Sequence, residues 1–118
     1  MDRKPVVLLT HVRHFIGPTA VRRLLREDMT VVCHDATFAA AAARDAFEAE
    51  VPDATTCATT DPAALVTEVK DRFGRIDALV ANYPTVVDKV GRDWFRAAAR
   101  GYVDVEPGGA PVIAAKGG

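Results

Sequence analysis

The first 82 residues alternate between short apolar runs and amphipathic segments, and this alternation limits the possible folds more than any other feature of the chain. Each apolar run has the continuous hydrophobicity of a strand that is buried on both faces. Each amphipathic segment repeats its apolar side chains at helical spacing. Strand–helix alternation with short connections predicts a parallel sheet with helices on both faces. The predicted strands are residues 5–10, 29–34, 54–59 and 76–81.

Polar residues, proline and glycine mark the helix boundaries. Asp35 or Thr37 can cap the second helix, an alanine-rich stretch that is predicted to continue through Glu50. Pro62 is pre-set for the first turn of the third helix, and Gly74 is a typical stop signal. The pattern as a whole predicts the α/β class: a Rossmann-like, doubly wound parallel sheet, truncated to about four to five strands.

The last third of the chain is less regular. Residues 86–101 are predicted to form a helix with Trp94 on its apolar face, and residues 110–115 are predicted to form a short strand. A complete doubly wound domain has about six strands. We therefore predict a single partial domain, with well-patterned βα units over residues 1–82 and an atypical tail over 83–118. Such a tail is expected of a truncated or frame-shifted gene product.

Charge and cysteine content exclude several classes of protein. The net charge of −1 over 118 residues gives no electrostatic reason to expect nucleic acid or a membrane surface as a partner. The apolar runs are too short to cross a bilayer, and the first residues lack the apolar stretch of a secretory signal. Cys33 and Cys57 form no recognisable disulfide framework. These observations predict a cytoplasmic protein with reduced thiols and no membrane association.

Ligands of such sheets bind at the carboxyl ends of the strands, near the point where the strand order reverses. The residues expected to line a small-molecule pocket there are Thr10, Phe15, Gly17, Asn82 and Tyr83. Phe15 is a large aromatic wall for such a pocket, with a place in the core as the alternative. For Thr10 and Gly17 the alternative is ordinary turn chemistry.

The first strand–helix turn lacks most glycines of a dinucleotide site. That motif would need glycine at positions 11 and 15, and the chain has His11 and Phe15. Asp35 stands close to where an acidic residue would bind the ribose of NAD or NADP, although a helix cap is the favoured role. We therefore expect no cofactor, with NAD or NADP through Asp35 as the alternative.

Four residues near the strand ends could in principle bind zinc. Imidazole and thiolate are suitable ligands, but the spacing of the four matches no metal motif, so no metal site is predicted. They are His11, His14, Cys33 and His34.

Residues 5–82 resemble the amino-terminal half of the short-chain dehydrogenase/reductase superfamily and, more narrowly, the halohydrin dehalogenases. The matching motif lies within VVLLTHVRHFIGPTAV. In it, four residues separate Thr10 from Phe15, and one residue separates Phe15 from Gly17. The segments TVVCHDATF and RIDALVAN are similar to the family as well.

The resemblance implies a cofactor-independent lyase that converts vicinal halohydrins to epoxides with release of halide, and that opens epoxides with small anions. It also implies a homo-oligomer in full-length members, with the halide in the space that nicotinamide fills in reductases. The family reaction needs a serine, a tyrosine and an arginine four residues after the tyrosine. The chain contains no serine, and Val87 and Glu106 stand four residues after Tyr83 and Tyr102.

No catalytic residue is therefore predicted, and the chain by itself is expected to be inactive. Two alternatives stay open at this point. The chain could be a fragment of an NAD(P)-dependent short-chain reductase with a degenerate turn. It could also be a non-catalytic binding module that uses half of a Rossmann sheet.

Overall fold

The computed structural model describes residues 4–14, 16–83, 89–105 and 112–116. No helix within these ranges combines the length and the apolar character that crossing a membrane requires. A short 3₁₀-helix, Ala36–Ala39, precedes the second α-helix. The strands and α-helices are β1 Val6–Leu9, α1 Gly17–Arg26, β2 Thr30–Cys33, α2 Ala41–Glu50, β3 Thr55–Thr56, α3 Pro62–Phe73, β4 Ala78–Tyr83, α4 Lys89–Val105 and β5 Val112–Lys116.

The strands form one sheet in the order β3-β2-β1-β4-β5. All four neighbouring pairs are parallel. The chain builds outward from β1 to β3 and then returns to place β4 on the other side of β1. The order therefore reverses between β1 and β4, which is the topological switch point of a doubly wound sheet. The predicted fold class is confirmed.

Both faces of the sheet are covered, as the continuous apolar runs require. On one face, Leu8, Val32 and Leu79 pack in a core that includes apolar side chains of α3 and α4. On the other face, Leu9 and Val31 pack in a second core formed with α1 and α2. Successive side chains of β1 thus contribute to opposite cores, which is why the strand has no polar residue.

The second helix is not continuous, contrary to the sequence prediction. The 3₁₀-helix ends at Ala39. Ala40 has an extended backbone (φ −90°, ψ 127°), and α2 begins only at residue 41. Asp35 caps the 3₁₀-helix by accepting a bond from the Thr37 N–H. The third predicted strand, residues 54–59, is also shorter than expected, since only Thr55–Thr56 pairs with β2.

The fourth strand begins two residues later than predicted. Ile76 and Asp77 precede it, and the Asp77 carboxylate accepts the N–H of Val6 at 2.6 Å. The Asp77 N–H in turn donates to the carbonyl oxygen of Val6 at 2.7 Å, so one backbone bond and one side-chain bond join Asp77 to the start of β1. The helix in the last third, Lys89–Val105, continues past its predicted end at residue 101. Residues 86–88 of that prediction lie outside the described ranges.

Replacing either of two glycines by alanine is expected to change the stability of the protein, in opposite directions. At Gly17 a Cβ would overlap the backbone of Val12, because α1 begins hard against the turn that follows β1. At Gly101 a Cβ would lie 3.6 Å from Ala63 and Val66 of α3, an ordinary contact. We expect Gly17→Ala to lower the free energy of unfolding by about 2 kcal/mol. Gly101→Ala is expected to raise it by about 0.5–1 kcal/mol, since alanine favours the helix.

Urea denaturation of both variants beside the wild-type protein measures these changes. Gly101→Ala is the matched control, because the same atom is added within an α-helix in both cases. Equal effects of the two substitutions would contradict the close approach at Gly17.

Candidate functional site

The carboxyl ends of β1, β2 and β4 meet at the switch point and bring four of the predicted residues to one edge of the sheet. Thr10 follows β1, and Asp35 lies two residues after the end of β2. Asn82 is the second-to-last residue of β4, and Gly17 begins α1. Tyr83 ends β4, but its side chain lies outside the description. Phe15 also lies outside the described residues, so its predicted role in a pocket stays a prediction.

Asn82 and Thr10 tie the switch point together. The Asn82 N–H donates to Thr10 Oγ1 at 2.9 Å. The side-chain amide of Asn82 donates to the carbonyl oxygens of His11 at 2.9 Å and His14 at 2.6 Å. One buried amide therefore holds two points of the turn between β1 and α1. This turn lies at the carboxyl end of the sheet, beside the switch point.

His11 has a backbone conformation that glycine adopts readily. Its φ is 52°, in the left-handed region that side chains disfavour. Its carbonyl is held by Asn82, and its N–H donates to Nδ1 of His34 at 3.2 Å. An imidazole side chain therefore stands at a backbone position that would suit glycine.

Asp35 is completely buried, and its carboxylate accepts hydrogen bonds from other residues of the chain. Its carboxylate accepts the N–H of Thr37 at 3.1 Å, the hydroxyl of Thr37 at 2.8 Å and the N–H of Arg13 at 3.3 Å. Burial by itself raises the pKa of this carboxyl, but the bonds from Thr37 and Arg13 outweigh it and hold the pKa below its ordinary value. Asp35 is a cap and a link between two turns, the favoured reading of the sequence.

Three rings pack against one another above the strand ends, and we name them the ring cluster: His11, His34 and Trp94. The rings of His34 and Trp94 stack with centroids 4.6 Å apart. His11 meets both edge-on, at 4.8 Å from His34 and 5.1 Å from Trp94. The Trp94 indole N–H donates to the carbonyl oxygen of Thr60 at 3.0 Å, which fixes the ring in place.

The ring cluster is uncharged at neutral pH. Burial lowers the pKa of His34 from 6.5 to about 3, with the neighbouring His11 acting in the same direction. Burial also lowers the pKa of His11. Asp35 favours the charged form of both rings, but desolvation is the larger effect.

Sequence reasoning placed Trp94 on a helix face but did not place it at the site. The only sequence feature that could have drawn attention to Trp94 is that it is the single tryptophan of the chain. Its position over His34 depends on how α4 packs against α3, and the local pattern does not encode that packing.

The four residues considered as metal ligands do not form a metal centre in the described part of the chain, where no group of three potential ligand residues comes together. Cys33 is buried, and burial raises its pKa to about 12. Burial likewise raises the pKa of Cys57 to about 12. Both thiols are therefore protonated and unreactive at neutral pH.

No protein-family model and no curated protein matches the sequence, whereas the fold matches solved structures. A protein described as a dehalogenation enzyme is 26% identical, with a TM-score of 0.77 over 95% of this chain and 53% of that one. A halohydrin dehalogenase bound to ethyl (2S)-oxiran-2-ylacetate is 23% identical, with a TM-score of 0.75 over 92% of this chain and 51% of that one.

Oxidoreductases match as well. A short-chain dehydrogenase from Streptomyces avermitilis is 18% identical, with a TM-score of 0.66 over 97% of this chain and 49% of that one. An oxidoreductase of the short-chain dehydrogenase/reductase family from Burkholderia thailandensis is 20% identical, with a TM-score of 0.68 over 96% and 51%. The chain has the short-chain dehydrogenase/reductase fold. It spans about half the length of these structures, and the resemblance drawn from the motif around Thr10 is confirmed.

Proposed function

We propose that this chain carries the pocket half of a cofactor-independent lyase of the halohydrin dehalogenase type, acting on vicinal halohydrins, epoxides and halide. The observation that carries the proposal is the ring cluster, which fills the edge of the sheet where the short-chain dehydrogenase/reductase fold would receive a dinucleotide. The structural likeness to two dehalogenating proteins supports the same reading.

The residues at the switch point do not fit a dinucleotide. His11 presents a side chain where glycine would let a pyrophosphate approach the backbone. Asp35 would have to release the bonds from Thr37 and Arg13 before it could accept a ribose hydroxyl. The stacked rings of His34 and Trp94 stand over the end of β2. We therefore assign no step to a nicotinamide cofactor.

The role proposed for the described residues is to hold the switch point in shape, and no proton transfer is assigned to them. Asn82 and Thr10 hold the turn between β1 and α1 in shape. The family reaction needs a serine and a tyrosine–arginine pair, and these 118 residues contain no serine and no such pair. We propose that the chain alone does not turn over halohydrins, and that activity, as well as assembly into the homo-oligomer of full-length members, depends on residues outside it.

A halide-release assay tests the proposed inactivity. The purified chain, incubated with 1,3-dichloro-2-propanol, is expected to release chloride at the rate of a protein-free sample. Ion chromatography measures the chloride. Release above that background, lost after heat denaturation, would contradict the inactivity and place the proton-transfer groups within this chain.

A nucleotide titration tests the cofactor-independent reading. Trp94 is the sole tryptophan and lies at the edge in question, so its emission reports on binding there. We expect no saturable change with NAD, NADH, NADP or NADPH up to about 1 mM, a weak-binding limit. A saturable change at micromolar concentration would favour the reductase alternative. The binding-module alternative predicts a stable, monodisperse chain in size-exclusion chromatography, whereas a fragment of an enzyme is expected to aggregate through an exposed apolar sheet edge.

A further inference from the structure

A cleft of about 170 Å³ opens between α1 and α2. Its apolar lining belongs to the core on one face of the sheet, whereas Trp94 packs against the core on the other face. The cleft is therefore separate from the ring cluster. At the roughly 30 Å³ that a water molecule occupies in the liquid, this volume admits a guest of about six non-hydrogen atoms.

The apolar part of the lining comes from both helices. Val12 and Val21 are completely buried, so they lie behind the surface of the cleft. Phe47 is 8% exposed and Val51 is 6% exposed, so a guest in the cleft can contact both side chains. Pro18, in the first turn of α1, also lines the cleft and is half-buried. Such a lining favours a short hydrocarbon chain.

Two of the three charged side chains that line the cleft bond each other. A guanidinium nitrogen of Arg22 donates to Glu50 Oε1 at 3.2 Å, and its other terminal nitrogen donates to the carbonyl oxygen of Pro18 at 3.1 Å. This ion pair joins α1 to the end of α2, and its two charges neutralise each other. Neither side chain is left to bind a charged guest.

Arg13 is the third charged side chain of the lining, and its charge is not neutralised in the described part of the chain. There its guanidinium, which is exposed, makes one long bond, to the hydroxyl of Thr37 at 3.4 Å. None of the ion pairs between described residues includes it. Its backbone N–H donates to the buried carboxylate of Asp35 at 3.3 Å, which fixes the residue beside the cleft. Two arginines and one glutamate give the lining a net charge of +1.

A guest that matches this lining has a short apolar chain and one negative charge. Guanidinium binds carboxylate through two parallel hydrogen bonds, whereas an ammonium group would meet a net positive charge. We infer that the cleft between α1 and α2 binds a short-chain aliphatic carboxylate such as butanoate, with the carboxylate on Arg13 and the chain against Phe47 and Val51. This inference goes beyond the proposed function and does not depend on it, because the cleft shares no residue with the ring cluster.

The test is an NMR titration with sodium butanoate at constant ionic strength, with butanamide as the uncharged analogue of the same shape. The readouts are the backbone amide cross-peaks of Arg13 and Val51 and the single indole cross-peak of Trp94. Butanoate is expected to shift both amides saturably, with a dissociation constant on the order of 10 mM, and to leave Trp94 unchanged. Butanamide is expected to bind about fivefold more weakly, because the exposed guanidinium gains no ion pair from it.

Two further comparisons separate the charge from the chain. Arg13→Gln keeps a long polar side chain without the charge and is expected to weaken butanoate binding about fivefold. Arg23→Gln is the matched control, since Arg23 is an exposed arginine of α1 that pairs with Glu27 and does not line the cleft. It is expected to leave butanoate binding unchanged. Acetate lacks two methylene groups and is expected to bind the wild-type protein about tenfold more weakly than butanoate.

Any of four outcomes would overturn the inference. Amide shifts that grow linearly with butanoate would show that the cleft holds only solvent. Equal binding of butanoate and butanamide, or equal loss in the two arginine variants, would remove Arg13 from the site. A saturable shift of Trp94 with the same dissociation constant would place the guest at the switch point instead. The halide-release assay does not depend on this cleft, so a failure here leaves the proposed function untouched.

Discussion

Asn82→Ala is expected to lower the free energy of unfolding by about 3 kcal/mol, because it leaves two carbonyl oxygens of the β1–α1 turn without their donor. The amide of Asn82 bonds the carbonyls of His11 and His14, which lie 71 and 68 positions away in the chain. The same bonds hold His11 in its left-handed conformation. Without these bonds the turn is no longer held in place, so the substitution costs more than the two hydrogen bonds themselves.

Urea denaturation at neutral pH, followed by circular dichroism, measures this loss. Thr56→Ala is the control, since it removes an exposed side-chain bond to Glu48 at 2.8 Å and is expected to cost less than about 0.5 kcal/mol. The Trp94 emission of Asn82→Ala is expected to shift as His11 moves away from the ring. Equal stability of the two variants would show that Asn82 does not hold the turn.

Acidification is expected to destabilise the protein well above the pH at which carboxyl groups titrate. The unfolded chain protonates His34 near pH 6.5, whereas the folded chain protonates it only near its lowered pKa of about 3. The folded state therefore binds fewer protons in this window. Stability is complete above about pH 6.5 and falls by about 1.4 kcal/mol per pH unit below it from His34 alone.

His11 adds to this loss, because burial lowers its pKa as well. The lowered pKa of Asp35 contributes only below its ordinary value of 3.8, where the unfolded carboxyl takes up a proton first. The destabilisation near pH 5 is thus a property of the buried histidines.

Unfolding free energies at about pH 7.5, 5.5 and 4.5 measure the slope, and His34→Asn isolates the contribution of His34. On unfolding near pH 5, the variant is expected to take up about one proton fewer than the wild-type protein, so its stability depends less steeply on pH. Histidine NMR gives a second reading that does not depend on the stability of the variant. The His34 resonance is expected to stay constant down to about pH 4, whereas titration near pH 6.5 would contradict its burial in an uncharged cluster.

The alternation of apolar runs was sufficient to predict the sheet. A run such as Val6–Leu9 has no polar residue because both of its faces are covered, and only a parallel sheet between helices provides that environment. The favoured capping role of Asp35 could also be read locally, because an aspartate two residues before Thr37 can bond its N–H directly. The motif of Thr10, Phe15 and Gly17 carried the family resemblance.

Strand and helix ends were less predictable, since tertiary partners determine them. Residues 76–77 have a pattern that a strand could continue. The N–H of Val6, however, donates to the Asp77 carboxylate and not to a backbone carbonyl, although the Asp77 N–H still bonds the carbonyl of Val6. The break at Ala40 has a similar origin. Asp35 begins the 3₁₀-helix, which ends at Ala39, and the extended backbone of Ala40 separates it from α2.

By itself, the sequence determined the α/β class, the parallel sheet, the substituted turn and the lack of a serine, because each is a local pattern or a count. The tertiary structure alone decided that Trp94 stacks on His34 and that Asn82 holds the turn at His11. These contacts join distant parts of the chain, so they depend on how α4 packs on α3 and on the return of β4 beside β1. A pairing of this kind leaves no periodic signal, since nothing in the spacing of neighbouring residues records which strand end a distant ring will meet.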